Sequence, residues 1–291
     1  MTYHISVMPQ ETIEYLLIKP GGIYVDCTFG GGGHTRAILK ADPTTQVIAF
    51  DTDPDAFEHN QQVLEEEFPG RVRFIWANFV TLRLALKKIG ITQVDGVLAD
   101  FGTSTYQIRN KAGFSFAHDT KLDMRMSAAH GTLTAAEIVN NASQEELATI
   151  FWRYGQERFG RQIARAIVRL RAQEKIKTTV QLADIIKKSV ASKQGAIHPA
   201  TRVFQALRIV VNHELDHIQG LLKQVPLVLK KGGRVVCISF HSLEDRLVKQ
   251  AFKEQSGQLE IVTPKVVVPT ASELAHNPSS RSAKLRAAQK I

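Results

Sequence analysis

The chain has 291 residues, 44% of them apolar, which is enough for a sizeable packed core, and no stretch approaches the about 18 uncharged apolar residues of a membrane span. Only two cysteines occur, Cys27 and Cys237, both inside strand-like runs, which suits buried thiols better than a disulfide framework. The formal charge of +9 is uneven: Tyr106 to Ala200 holds 15 Lys/Arg against 8 Asp/Glu, while the remainder holds 22 against 20. A cationic middle third points to a polyanionic partner, most often nucleic acid, with a solvated surface tuned for solubility as the plain alternative. The first residues show no basic region followed by an apolar run and a small-residue cleavage site, so a cytoplasmic location is expected.

Four strand candidates come at near-regular spacing, Ile23 to Phe29, Gln46 to Asp51, Val72 to Ala77 and Val94 to Asp100, separated by the helical patterns "TRAILK", "DAFEHNQQVLEEEF" and "TLRLALKKIG". Such alternation predicts parallel strands with crossover helices on both faces. Between Phe101 and about Ala200 the pattern turns helical, with Thr134, Ser143 and Thr179 as expected caps. A helix over about Gln156 to Ala172 is expected to bury Phe159, Ile163, Ile167 and Leu170, leaving Arg158, Arg161, Arg165 and Arg169 at i, i+4 spacing outside, where they can track phosphates. Local pairing of Glu157 with Arg161 is the bland reading of that flank. After the helix "HIQGLLKQVPLVL", a fifth strand is expected over Arg234 to Phe240, and "LEIVT" and "KVVVP" are candidates for the last strands. The expected fold is therefore α/β, a doubly wound and mostly parallel sheet formed by residues 1–105 and 201–291, with an all-helical domain of residues 106–200 inserted after the fourth strand.

The stretch "IYVDCTFGGGGHTRAILK" places a strand, a glycine-rich turn and a helix start in succession. Backbone approaches a ligand closely at such a turn, and free N–H groups attract negative charge. Asp51, at the end of the second strand, is placed to accept from both ribose hydroxyls of a nucleoside cofactor. Turn and carboxylate together suit NAD, FAD or S-adenosylmethionine alike. The acid-x-small-x-Gly-x-Gly run from Asp26 to Gly32 resembles the first motif of class I S-adenosylmethionine-dependent methyltransferases, where an acid near an ammonium and a sulfonium makes electrostatic sense. A structural role for Asp26, capping the loop, is the alternative. Asp100 ends the fourth strand, and ligands in this fold meet the carboxyl ends of strands.

Taken together, "TFGGGGHTRAIL", "LADFGTSTYQ", "GFSF", "LDMRM", "YGQERFGRQIARAIV", "HPATRVFQALRI", "GGRVVCISFHSLEDRLVK" and "NPSSRSAKLR" resemble the bacterial small-subunit ribosomal RNA cytosine-N4 methyltransferases, the MraW family, from His4 to about Arg286. The resemblance implies N4-methylation of a cytidine in 16S rRNA with S-adenosylmethionine, and an inserted helical domain that binds substrate. It implies cofactor contacts at Gly32, Gly33, His34, Asp51, Phe79, Asp100 and Gln107, to which Asp26 and Gly30 are added from the turn. The chain departs from the family pattern at Gly31, where arginine is usual, at "DTDP" for "DRDP", and at "DFGTSTYQ" for "DLGVSSPQ".

Direct in-line attack of the exocyclic amine on the sulfonium methyl is expected, with catalysis resting on orientation and hydrogen bonding. Asp100 is the leading catalytic candidate, with Ser104, His241 and Ser242 lining the expected cleft. In the structural reading of "SFHSLEDR", Ser242 caps a helix and Asp245 pairs with Arg246. The target base must be single-stranded or flipped, and Phe101, Tyr106 and Phe240 are stacking candidates. The expected partner is 16S rRNA or the small ribosomal subunit, with no membrane and no metal, and the chain acting as monomer or homodimer. Three rivals stand beside this reading. "HELDH", His213 to His217, matches the H-E-x-x-H pattern of zinc metalloproteases. A hydride-transfer enzyme using NAD and a non-catalytic RNA-binding or assembly factor are the other two.

Overall fold

The computed structural model describes residues 6–127, 133–190 and 198–291. The chain divides into two compact units, one of residues up to Ser104 with Leu215–Ile291, the other Thr105–Glu214.

The first unit opens with α1 (Pro9–Leu16), then runs β1 (Ile23–Asp26), α2 (Gly33–Ala41), β2 (Gln46–Asp51), α3 (Pro54–Glu67), β3 (Val72–Trp76), a 3-10 turn at Phe79–Thr81, α4 (Leu82–Lys88) and β4 (Val94–Asp100). The second unit is α5 (Thr105–Asn110), α6 (Ala135–Asn141), α7 (Gln144–Gly155), α8 (Gly160–Arg171), α9 (Thr179–Ser189) and α10 (Ala200–Val211). The chain then returns through α11 (Glu214–Val228), β5 (Leu229–Ser239), α12 (Ser242–Glu254), β6 (Leu259–Ile261), α13 (Ala271–His276) and β7 (Lys284–Lys290). Strand order is β3-β2-β1-β4-β5-β7-β6, parallel from β3 to β5, with β7 antiparallel to both neighbours.

Period-two burial explains the double winding. Val97, Ala99, Val235 and Cys237 turn to one face, under Leu82 and Leu86 of α4, Leu221 and Val225 of α11, and Val248 and Phe252 of α12. Leu98, Val236 and Ile238 turn to the other, under Leu16 of α1, Ile38 and Leu39 of α2 and Leu64 of α3. Because both faces are covered, the central strands read as nearly continuous apolar runs. Cys27 and Cys237 are buried free thiols.

Three expectations about the sheet unit need correction. The last strand is "KLRAAQK", Lys284–Lys290, and "KVVVP" contributes only a bridge from Val267 to Leu285. β5 starts at Leu229, five residues earlier than expected, and passes the Gly232-Gly233 pair through a register irregularity opposite β4. In the "SFHSLEDR" segment His241, not Ser242, caps α12, by a reciprocal box with Glu244, and Asp245 pairs with Arg286, not Arg246, at 2.6 Å.

The helical unit has its own core, built from residues such as Leu147, Phe151, Ile163, Ile167, Leu182 and Leu207. It runs on to Glu214, so α10 belongs to it, whereas the expected return to the sheet fell at residue 201. Thr134 and Ser143 cap their helices by reciprocal boxes as expected. Thr178 rather than Thr179 caps α9, while Thr179 is buried and donates its hydroxyl to His118 O. α8 begins at Gly160, so Arg158 precedes the helix, and Phe159 at its N-cap is 46% exposed rather than buried. Ile163 and Ile167 are fully buried, Leu170 is partly buried, and Arg158, Arg161, Arg165 and Arg169 are all exposed.

Candidate active site

The glycine turn is tied to the end of β2 by Asp51, and the carboxylates of Asp26 and Asp100 stand at the ends of β1 and β4. Gly30 and Gly32 have φ of +50° and +72°, left-handed conformations in which a side chain costs free energy. The Gly30 N–H donates to Asp51 Oδ2 at 2.8 Å, tying the turn to the end of β2, and the Asp53 N–H donates to Asp51 Oδ1 at 2.9 Å. Below the turn Phe29 stacks on Phe57 and meets Phe74 edge-on, each at 5.3 Å, so the backbone rests on a rigid aromatic floor.

Asp26 faces inward. It is fully buried, accepting from Thr28 N–H at 3.1 Å and from the Thr35 hydroxyl at 2.8 Å, and so ties β1 to the first turn of α2. Burial raises its pKa, opposed by the nearby His34 and by these hydrogen bonds. The structure therefore gives Asp26 the loop-capping role.

His34 and Asp100 are the unusual pair. His34 is 5% exposed, and neither ring nitrogen has a hydrogen-bond partner among the described residues; Asp100 Oδ1 is equally buried and unpartnered. The His34 Nε2 lies 3.5 Å from Asp100 Oδ2. Burial pushes the His34 pKa down, but the Asp100 side chain beside it, with Asp26 behind, outweighs burial and leaves it raised. The Asp100 backbone N–H donates to Thr28 Oγ1 at 2.8 Å, which fixes the end of β4 against β1. Sequence reasoning overlooked Thr28 and Thr35. Their only signal was position, one between Asp26 and the glycines, the other a turn beyond them.

Asp26, Gly30, Gly32, Gly33, His34, Asp51 and Asp100 thus gather at the carboxyl ends of β1, β2 and β4. Phe79, in the turn after β3, packs against Phe101 at 6.3 Å. Phe101 is a core residue, 3% exposed, and not a stacking platform; Phe240 is half-buried against the core of the other sheet face. The His241 Nδ1 accepts from the Glu244 N–H as helix cap, and Ser242 is the first residue of α12. Ser104 ends the first unit, while Gln107 is buried on α5 of the helical unit. Arg158, Arg161, Arg165 and Arg169 lie on the helical unit. The "HELDH" pattern does not form a protease helix. His213 stands at φ +50° in the turn before α11, so it shares no helix face with His217. The Glu214 carboxylate takes a two-pronged bond from Arg208 at 2.8 and 2.9 Å, and His217 Nδ1 lies 3.0 Å from the Asn78 amide nitrogen.

The sheet order, with its single reversed strand, and the carboxylate-ringed glycine turn define a class I methyltransferase domain. S-adenosylmethionine, the methyl donor of that class, fits these residues: Asp51 suits ribose hydroxyls, and unpartnered Asp100 Oδ1 suits a cationic or amine-bearing group. The chain belongs to the MraW methylase family, whose model matches residues 1–291. It is 50% identical to a ribosomal RNA small subunit methyltransferase H of Endomicrobium trichonymphae, covering 99% of each chain. A relative of the same description from Cyanothece sp. is 47% identical over 99% of this chain and 95% of its own. Among solved structures, an rRNA methylase from Streptococcus thermophilus aligns over 99% of this chain and 98% of its own, at 10% identity and a TM-score of 0.45. Among the described residues no helix is long and apolar enough to cross a membrane.

Burial raises the Asp51 pKa to about 6, against the two backbone N–H groups that favour its charge. A ribose hydroxyl donates best to an ionised carboxylate, so a ribose seated on Asp51 is expected to compete with protonation. Affinity for S-adenosylhomocysteine, measured by calorimetry, is expected to fall as pH drops from 7 to 5, by up to tenfold per unit below about 6. Asp51→Asn should bind more weakly at pH 7 and lose that pH dependence. For folding the sign is opposite. The native state keeps this proton to about 6 while the unfolded chain releases it near 3.8, so stability of the cofactor-free protein declines as pH rises through that interval.

Proposed function

We propose that the protein methylates the exocyclic N4 amine of a cytidine in small-subunit (16S) ribosomal RNA, in the cytoplasm, as monomer or homodimer. The activity named for its relatives supports the RNA class. The observation that carries the amine is Asp100, a carboxylate at the end of β4 with one oxygen near His34 and the other buried without a partner among the described residues. An amine needs such an acceptor, because the cytosine lone pair is delocalised into the ring and must be turned toward the methyl group.

S-adenosylmethionine supplies an electrophilic methyl, which needs neither a metal nor a covalent enzyme intermediate. The remaining work belongs to the chain. Asp51 and the Gly30–Gly33 turn hold the nucleoside end, and Asp26 keeps that turn docked on α2. Asp100 Oδ1 accepts an N–H of the amine and takes the proton released as the new C–N bond forms and the methyl–sulfur bond breaks, while Asp100 Oδ2 lies beside His34. Ser104 is an auxiliary contact, as Ser242 is from the start of α12; His241 acts through the helix cap that positions Ser242. Phe79 completes the cofactor contacts in this reading. The exposed arginines of the helical unit grip RNA phosphates. The substrate is either free 16S rRNA or the assembled small subunit.

Mass mapping of small-subunit RNA nucleosides from cells with and without the gene tests the proposal. Loss of one N4-methylcytidine supports it, and an unchanged map refutes it.

A further inference from the structure

The helical unit carries a surface feature that the cofactor chemistry does not use. α7 and α8 flank an open cleft of about 740 Å³. Glu145, Thr149 and Trp152, at i, i+4 and i+7, line it from α7, while Arg158 lines it from the connection before α8 and Arg161 from the first turn of α8. Gly160 sets the closeness of the two helices. A Cβ there would lie 3.3 Å from the Phe151 Cβ and 3.4 Å from Ala148 O, so anything larger would push the base of the cleft apart.

Trp152 stands 64% exposed on a helix that buries Leu147 and Phe151 completely. Phe159, across the connection, is 46% exposed, and the exposed Arg158 and Arg161 share the cleft lining with Trp152. Two carboxylates and two guanidinium groups line the cleft. Glu157 is 6% exposed and accepts the Phe159 N–H at 2.8 Å, so its carboxylate is used at the helix start, leaving Glu145 as the exposed acid of the cleft lining. An exposed indole amid guanidinium groups matches the two recurring needs of unpaired RNA, a flat surface for a base and cations for the phosphates beside it. A second copy of this chain fits less well, because a twofold contact would set the same arginines against themselves.

We propose that this cleft is a stacking subsite for an unpaired nucleotide of the RNA substrate. Trp152 takes a base on its ring face, Arg158 and Arg161 hold the flanking phosphates, and Glu145 offers an acceptor to a base edge. The proposal rests on the ribosomal RNA reading above and adds where a nucleotide outside the reacting position is held.

The test uses the full-length protein and a labelled single-stranded RNA of about ten nucleotides. Trp152→Ala should weaken binding about tenfold, the usual effect of removing one stacked base, and Trp152→Phe should restore most of it. The salt dependence of binding should be unchanged in Trp152→Ala, since no phosphate contact is lost, but the Arg158→Ala/Arg161→Ala double variant should lower its slope by about 1.4. The chain has two tryptophans, so in a Trp76→Phe background the emission of Trp152 should be quenched by the RNA and not by inorganic polyphosphate. Binding within twofold of wild type in Trp152→Ala overturns the proposal. So does a Trp152 signal that tracks protein concentration without RNA, which would mark an interface between copies. Methyl incorporation into small-subunit RNA separates this failure from the larger one. If wild type and Trp152→Ala methylate and bind alike, only the subsite is wrong; if wild type methylates no RNA, the reaction is wrong, and the oligomer titration still judges the cleft.

Discussion

Asp100→Asn is expected to slow methyl transfer by about a thousandfold, within the range for loss of a positioned proton acceptor. The substitution keeps the shape of the side chain, and the strand end stays fixed, because the bond from Asp100 to Thr28 is made by the backbone N–H. What is lost is charge. An amide has no second acceptor for the amine and takes no proton, and His34 loses the neighbour that raises its pKa, so its imidazole becomes neutral at a lower pH in the variant. Single-turnover transfer measures the chemical step, while calorimetry with S-adenosylmethionine should show a much smaller change in affinity. A variant that keeps more than a tenth of the wild-type rate would remove Asp100 from the reaction. Full biological function in that variant would favour the assembly-factor reading.

Gly32→Ala should be the most damaging single methyl group in the sheet unit's site. At φ +72° any side chain carries about 1–2 kcal/mol of backbone strain. The added Cβ would also sit 2.7 Å from Leu64 Cδ1 and 3.0 Å from the Phe29 ring. Leu64 is fully buried and Phe29 is locked between Phe57 and Phe74, so neither yields easily, and overpacking adds about 1–3 kcal/mol. A loss of about 3 kcal/mol in stability, with cofactor affinity down more than tenfold as the turn shifts, is expected from denaturant titration and calorimetry. Gly70→Ala is the control. Its φ is +69°, but no atom lies within 4 Å of the added Cβ, so it should cost only the backbone strain and leave cofactor binding unchanged.

Much of this site was legible because strand ends are. Alternating runs located β1, β2, β3 and β4, and the rule that ligands meet carboxyl ends then singled out Asp51 and Asp100. Asp26 was found for its charge, but its burial was not readable, since the hydroxyl of Thr35 that completes its bonding comes from the next helix. β7 escaped notice because "KLRAAQK" has no β-branched or aromatic residue. It becomes a strand by pairing between β5 and β6, where Ala287 and Ala288 are fully buried. "KVVVP" has the propensity but pairs only at Val267, opposite Leu285. The cap at His241 was misassigned to Ser242 because serine is the commoner cap, and only Glu244 three residues on from His241 marks the reciprocal box. Trp152 gave no signal at all, since helical spacing alone does not tell an exposed aromatic ring from one in the core.

The central claim is that a methyl group passes from S-adenosylmethionine to a cytosine amine. Purified protein, S-adenosylmethionine with an isotope-labelled methyl group, and small ribosomal subunits lacking the modification provide the direct measurement, read by nuclease digestion and mass spectrometry of the nucleosides. The label should appear in N4-methylcytidine at a single position. Label in 5-methylcytidine, on a ribose hydroxyl, or in no nucleoside would contradict the account.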